Sequence, residues 1–209
     1  MSQVFNRRFI QSLVVFAALS LASALSVKAD VVGVCTDVPG QSGLGACNKT
    51  VNITGNIVTI TLTNTSPAAN GGFITADAFN LVAGTVVTSS SSTNANFAFT
   101  QGVISANPFP DRNALFSTGG GFEGGGTANV GVGVGQTVIF TLTLASLNGN
   151  TESSIFGSEA IRFRSFNNEG SDKALVTTTP VPEPASMLLL GTGLAGLASG
   201  VRRRRNKKN

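Results

Sequence analysis

The chain contains no histidine, which removes the serine-histidine triad and the histidine-ligated zinc site from consideration. What remains for proton transfer is a handful of carboxylates and lysines. Glu123, Glu152, Glu159 and Glu169 could supply the paired carboxylates of glycoside hydrolysis. None of them sits in a motif, and an acid without one ordinarily belongs to a solvated face. A serine–lysine dyad needs a lysine in a cleft, whereas Lys49 and Lys173 lie in polar contexts that read as turns. Gly131-Val132-Gly133-Val134-Gly135 has the look of a phosphate loop, but neither the helix nor the lysine of that motif follows, so it reads as a turn before a strand. The residues therefore predict a non-catalytic chain that needs no cofactor.

Two further groupings bear on binding and on stability. Asn167-Asn168-Glu169-Gly170-Ser171-Asp172 gathers oxygen donors in one turn, and Ca2+ favours such oxygens. Asn167, Glu169 and Asp172 are its candidate ligands, with ordinary hairpin chemistry as the plainer reading. Cys35 and Cys47 are the two cysteines of the chain. Without a Cys-x-x-Cys spacing or histidine partners they read as a structural disulfide closing a polar loop, in a chain bound for an oxidising compartment.

The elements that must carry these residues read as strands. Ile57 to Thr63 alternates, with Val58, Ile60 and Leu62 on one face and threonines on the other. Thr137 to Leu144 repeats the pattern with Val138, Phe140, Leu142 and Leu144 inward, and Ile161-Arg162-Phe163-Arg164 points its arginines out. Shorter strands are expected near 31–34, 73–81, 85–87, 96–100 and 173–176. Asn70-Gly71-Gly72, Ser89 to Ser92 and the glycines of 119–126 read as turns. Many short strands without helical periodicity predict an all-β domain: a single antiparallel β-sandwich, jelly-roll or immunoglobulin-like, over residues 30–179.

Charge divides the chain into three. The formal net charge is +4, but between Asp30 and Pro180 five cations stand against nine acids, leaving −4. That middle does not suit nucleic acid, and no nucleic-acid partner is expected. The cations gather at the ends. Arg7 and Arg8, the apolar stretch from Leu13 to Leu25 and Val27-Lys28-Ala29 form an export signal over residues 1–29, with cleavage between Ala29 and Asp30. An uncleaved N-terminal anchor is the competing reading. Export machinery and signal peptidase are the partners this implies.

At the other end, residues 180–209 run from Pro180-Val181-Pro182-Glu183-Pro184 through an apolar segment at 185–201 to a basic end at 202–208, where Arg202, Arg203, Arg204 and Arg205 act as the stop on the cytoplasmic side. The uncharged part from Met187 to Val201 covers about 22 Å as a helix, against a hydrocarbon core of about 30 Å. That suits a temporary, transmembrane hold better than a lasting one. The order of parts, and the literal Pro182-Glu183-Pro184 core, resembles the PEP-CTERM sorting signal of exported bacterial proteins. The resemblance is confined to this tail. It implies handling by an exosortase-like membrane protease that cleaves near Pro182-Glu183-Pro184, followed by deposition at the cell surface or in an extracellular matrix where exopolysaccharide is a partner. A carbohydrate-binding module and, further off, a secreted hydrolase are the alternatives for the domain itself.

Overall fold

The computed structural model describes residues 31–124, 127–157, 159–168 and 170–179. The export signal with its Ala29–Asp30 junction, the tail from Pro180 onward, and Glu169 lie outside the described residues. Within them the chain is all-β: β1 (Val31–Thr36), β2 (Cys47–Thr54), β3 (Ile57–Asn64), β4 (Gly71–Phe79), β5 (Val87–Ser92), β6 (Ala98–Ile104), β7 (Arg112–Ser117), β8 (Val132–Gly133), β9 (Thr137–Leu144), β10 (Ala160–Phe166) and β11 (Ser171–Thr179). A short helix, α1 (Glu152–Phe156), interrupts them.

The expected alternation holds where it was clearest. Val58, Ile60 and Leu62 on β3 and Val138, Phe140, Leu142 and Leu144 on β9 are buried, as are Ile161 and Phe163 on β10. Their threonine neighbours fill the outward positions, where β-branching suits the pleat. Three elements differ from expectation. Ser89 to Ser92 lie in β5 rather than in a turn, β2 and β7 are full strands, and α1 is a helical turn closed by a capping box between Thr151 and Ser154.

The expected sandwich of two sheets also takes a different form. One hydrogen-bonded antiparallel sheet runs in the order β5-β9-β3-β2-β1-β11-β10-β4-β7-β6, with β8 added to β4. The end strands β5 and β6 approach each other, so the sheet is nearly closed. Strand twist supplies the curl, and bulges sharpen it. Register shifts interrupt three ladders: β4–β10 beside Arg162/Phe163, β5–β9 at Val87/Ser89, and β6–β7 at Gln101/Ile104.

Residues from opposite walls then meet in one core. The ring of Phe116 on β7 stacks on that of Phe140 on β9 at 4.2 Å, and Phe97 meets Phe140 edge-on at 5.1 Å. α1 closes one end, laying Phe156 over Gly33 of β1, where a Cβ would come within 2.6 Å of the ring and 2.4 Å of Val176. Outside the sheet, Ala76 and Ala78 of β4, Leu115, Ala160 and Leu175 carry a second apolar cluster roofed by Ile104, Ala106, Phe109 and Phe122. β4 is thus covered on both faces.

β1 and β11 are paired antiparallel, with Val32 opposite Thr179. The first and last described strands therefore share one end of the sheet. At the other end of β1, Cys35 is bonded to Cys47 at the start of β2, closing the loop between them.

Candidate functional site

On β2 the inward positions are Cys47, Lys49, Val51 and Ile53. Strand alternation therefore drives Lys49 into the core, where the sequence suggested a turn. On β4 the bulge beside Thr75 puts Ile74 and Phe79 into the same core while Ala76 and Ala78 face out, and Asp77 alternates inward with Phe79. Glu159 immediately precedes β10, the neighbour of β4.

The three side chains converge with no exposed surface. Lys49 Nζ donates to Asp77 Oδ2 at 2.6 Å, contacts Glu159 Oε1, and lies 5.5 Å from the centre of the Phe79 ring. Asp77 Oδ1 and Glu159 Oε2 have no hydrogen-bond donor. Burying charges this completely is costly unless they are paired and satisfied, and this cluster is only partly satisfied.

The protonation states follow from burial. Burial pulls the Lys49 ammonium down, but Asp77 and Glu159 outweigh it and hold the group above its ordinary 10.5. Burial lifts the Asp77 carboxyl above its usual range even against the attraction of Lys49. Burial pushes the Glu159 carboxyl up to about 8, with Lys49 opposing and the charge of Asp77 adding to the rise. At neutral pH the cluster is an ammonium, a carboxylate and a carboxylic acid, with no net charge. Its chemical capacity is proton exchange among three groups sealed from solvent.

The remaining sequence candidates are dispersed. Glu123 is on the outer surface, bridging Arg162 of β10 and Lys173 of β11, with its Oε1 2.5 Å from Lys173 Nζ. Those two cations are direct cross-strand partners. Desolvation alone would raise the Glu123 carboxyl; hydrogen bonds and charge from Lys173 and Arg162 bring it below its ordinary value. Lys173 Nζ also donates to the carbonyl of Asn107, so one cation holds two loops of the outer roof. Glu152 opens α1 and accepts from the Ile53 backbone N–H at 3.2 Å. The described glutamates thus occupy three separate environments, not one cleft.

The oxygen-rich turn is not gathered as a ligand set among the described residues. Asp172 is buried and spends both oxygens on backbone N–H groups, Oδ2 on Gly45 at 2.8 Å and Oδ1 on Lys173 at 2.9 Å. Asn167 donates to Ala69 O, and Asn168 Oδ1 accepts from Gly170 N. No three His, Cys, Asp or Glu residues among those described are placed to hold a metal. Asn70, Asn167 and Asn168 instead line, with Leu44 and Ala69, a depression of about 280 Å³.

Sequence reasoning missed the Lys49–Asp77–Glu159 cluster. The available signal was a lone lysine at an inward position of the alternating run Cys47-Asn48-Lys49-Thr50-Val51-Asn52-Ile53. Gly131 to Gly135 behaves as expected: it enters through a 3-10 turn and leads into β9, and a Cβ on Gly131 would meet Ile74 O at 2.3 Å.

Comparison with known proteins bears on the tail alone. No curated protein and no solved structure matches the chain. The model of the PEP-CTERM protein-sorting motif matches residues 180–205, which implies an exported protein that is sorted by an exosortase-like enzyme.

Proposed function

We propose that the protein is a non-catalytic exported cargo whose tail is cut by an exosortase-like membrane protease, and whose β domain is then left at the cell surface or in the extracellular polysaccharide matrix. The observation that carries this reading is the sorting-motif match over residues 180–205. The disulfide between Cys35 and Cys47 supports it, since such bonds persist in oxidising compartments. In this reading residues 1–29 are removed after export, 185–201 sit in the membrane for a time, and Arg202 to Arg205 hold the cytoplasmic side. The intact mass of the released protein tests it: the expected form lacks Met187 to Asn209, and a released form with the whole tail would overturn the proposal. Replacing Glu183 should leave precursor in the membrane fraction.

One surface favours a second reading, binding to neutral carbohydrate. Thr59, Thr61 and Thr63 on β3 stand in register beside Thr141, Ile139 and Thr137 on β9, forming an uncharged outward face with Thr63 and Thr137 hydroxyls 2.8 Å apart. The chain has no Trp or Tyr to stack on sugar rings. Micromolar binding on a glycan array, lost when these threonines are replaced by lysine, would favour this reading over an inert scaffold.

A further inference from the structure

We propose that Lys49 and Asp77 become joined by an intramolecular amide bond, formed by the chain itself with Glu159 as the proton relay. Three observations lead there. First, the cluster is closed to outside reactants: all three side chains have zero exposure. Any chemistry open to a buried amine and two buried carboxyls is chemistry with each other.

Second, the reacting groups are held in place. Lys49 lies in β2, which is laddered to β1 and β3, and Asp77 lies in β4, which is laddered to β10 and β7. Paired backbone on both sides fixes each group, and Nζ rests 2.6 Å from Oδ2. Fixing an amine against a carboxyl in this way replaces a dilute encounter with an effective concentration of about 10⁵ M or more.

Third, the cluster can reach its reactive form without gaining charge. Moving one proton from the Lys49 ammonium to the Asp77 carboxylate, along the hydrogen bond already present, gives a free amine and a neutral acid. The low-dielectric surroundings, Phe79 among them, favour that uncharged pair.

The step then balances. The Nζ lone pair attacks Asp77 Cγ, and the carbonyl electron pair moves to oxygen, which takes the proton of the Glu159 carboxylic acid. The resulting Glu159 carboxylate accepts a proton from the nitrogen. It returns that proton to the departing hydroxyl, which leaves as water. One Cγ–N bond forms, one Cγ–O bond breaks, Glu159 is regenerated, and no oxidant is needed. The product replaces a costly buried ion cluster with a neutral amide and one acid. It also links β2 to β4 across the core, while Cys35–Cys47 links β1 to β2.

The test is the mass of the purified chain after disulfide reduction, compared with the mass calculated from its own mapped termini. The expected result is a deficit of one water in the wild type, with a branched peptide joining Lys49 to Asp77. Glu159→Gln should fold, as judged by circular dichroism, and keep its full mass; Asp77→Ala should also keep its full mass. A wild type without the deficit would overturn the proposal. So would a deficit mapped to any other pair, including Lys49 with Glu159. A full deficit in Glu159→Gln would overturn the relay.

Discussion

Lys49 Nζ lies 2.6 Å from Asp77 Oδ2 although three strands, β1, β11 and β10, separate their own strands in the sheet. The contact therefore spans the core, and it exists only because the sheet curls back on itself. The fold and the cluster depend on each other: closure brings the charges together, and the charges must be balanced for closure to be stable.

Lys49→Met should be among the most destabilising single changes. It leaves two buried carboxyls without the cation that faces them, and breaking a buried pair from one side costs about 3–5 kcal/mol. Combining it with Asp77→Leu and Glu159→Met should recover much of that loss, because a well-packed apolar replacement leaves nothing unpaired. Urea midpoints of the two variants would show the difference; equal midpoints would mean that lost packing, not charge, is responsible.

Stability should fall as pH rises from about 4.5 to about 8. The Glu159 carboxyl has an ordinary value of 4.5 and is raised to about 8 in the folded chain. Across that window the unfolded chain releases a proton that the folded chain keeps, so rising pH favours unfolding. The slope for this one group is at most about 1.4 kcal/mol per pH unit. Asp77 is shifted in the same direction. Condensing Lys49 with Asp77 would not reverse the sign for Glu159, because it removes the cation that lowers its value. Glu159→Gln should flatten the profile, and a profile unchanged by that substitution would assign the slope elsewhere.

Gly33→Ala should cost about 1–3 kcal/mol, the usual range for overpacking. The new methyl would stand 2.4 Å from Val176 Cγ1 and 2.6 Å from the Phe156 ring. Relief by Phe156→Leu, measured as a melting temperature that recovers in the double variant, would show that α1 is what presses on this glycine.

Glu123→Gln should change global stability by no more than about 1 kcal/mol, because the carboxylate is exposed. Its effect should be local. Glu123 adjoins Phe122, which is buried in the outer cluster, so hydrogen exchange should quicken in residues 118–124. Uniform exchange across the variant and the wild type would show that Phe122 alone holds the roof.

The legible part of the fold was the part with apolar alternation. β3, β9 and β10 carry it plainly. β5 does not, because its Ser89 to Ser92 are mostly exposed and need no apolar face. β2 was hidden by Lys49, which reads as polar wherever it stands, although its neighbours Cys47, Val51 and Ile53 share its inward register. Closure into one sheet was illegible because pairing is set by bulges and by contacts distant in sequence, such as β1 with β11. The cluster was illegible for the same reason: Lys49 and Asp77 stand 28 positions apart, and nothing local ties either to Glu159. The tail was legible because its signal is linear.

The rung between Val32 and Thr179 has a bearing on how the domain would stand at a surface. Residue 180 leaves the sheet beside the point where the chain enters, so a domain held by its tail is held at that pole. β11 runs nine residues from there to Ser171, about 27 Å at roughly 3.3 Å per residue. The pole it reaches carries the turn at 167–170, and with it the depression flanked by Asn70, Asn167 and Asn168. Tethering by the tail thus orients the molecule, turning the asparagine-lined pole toward whatever lies beyond the membrane.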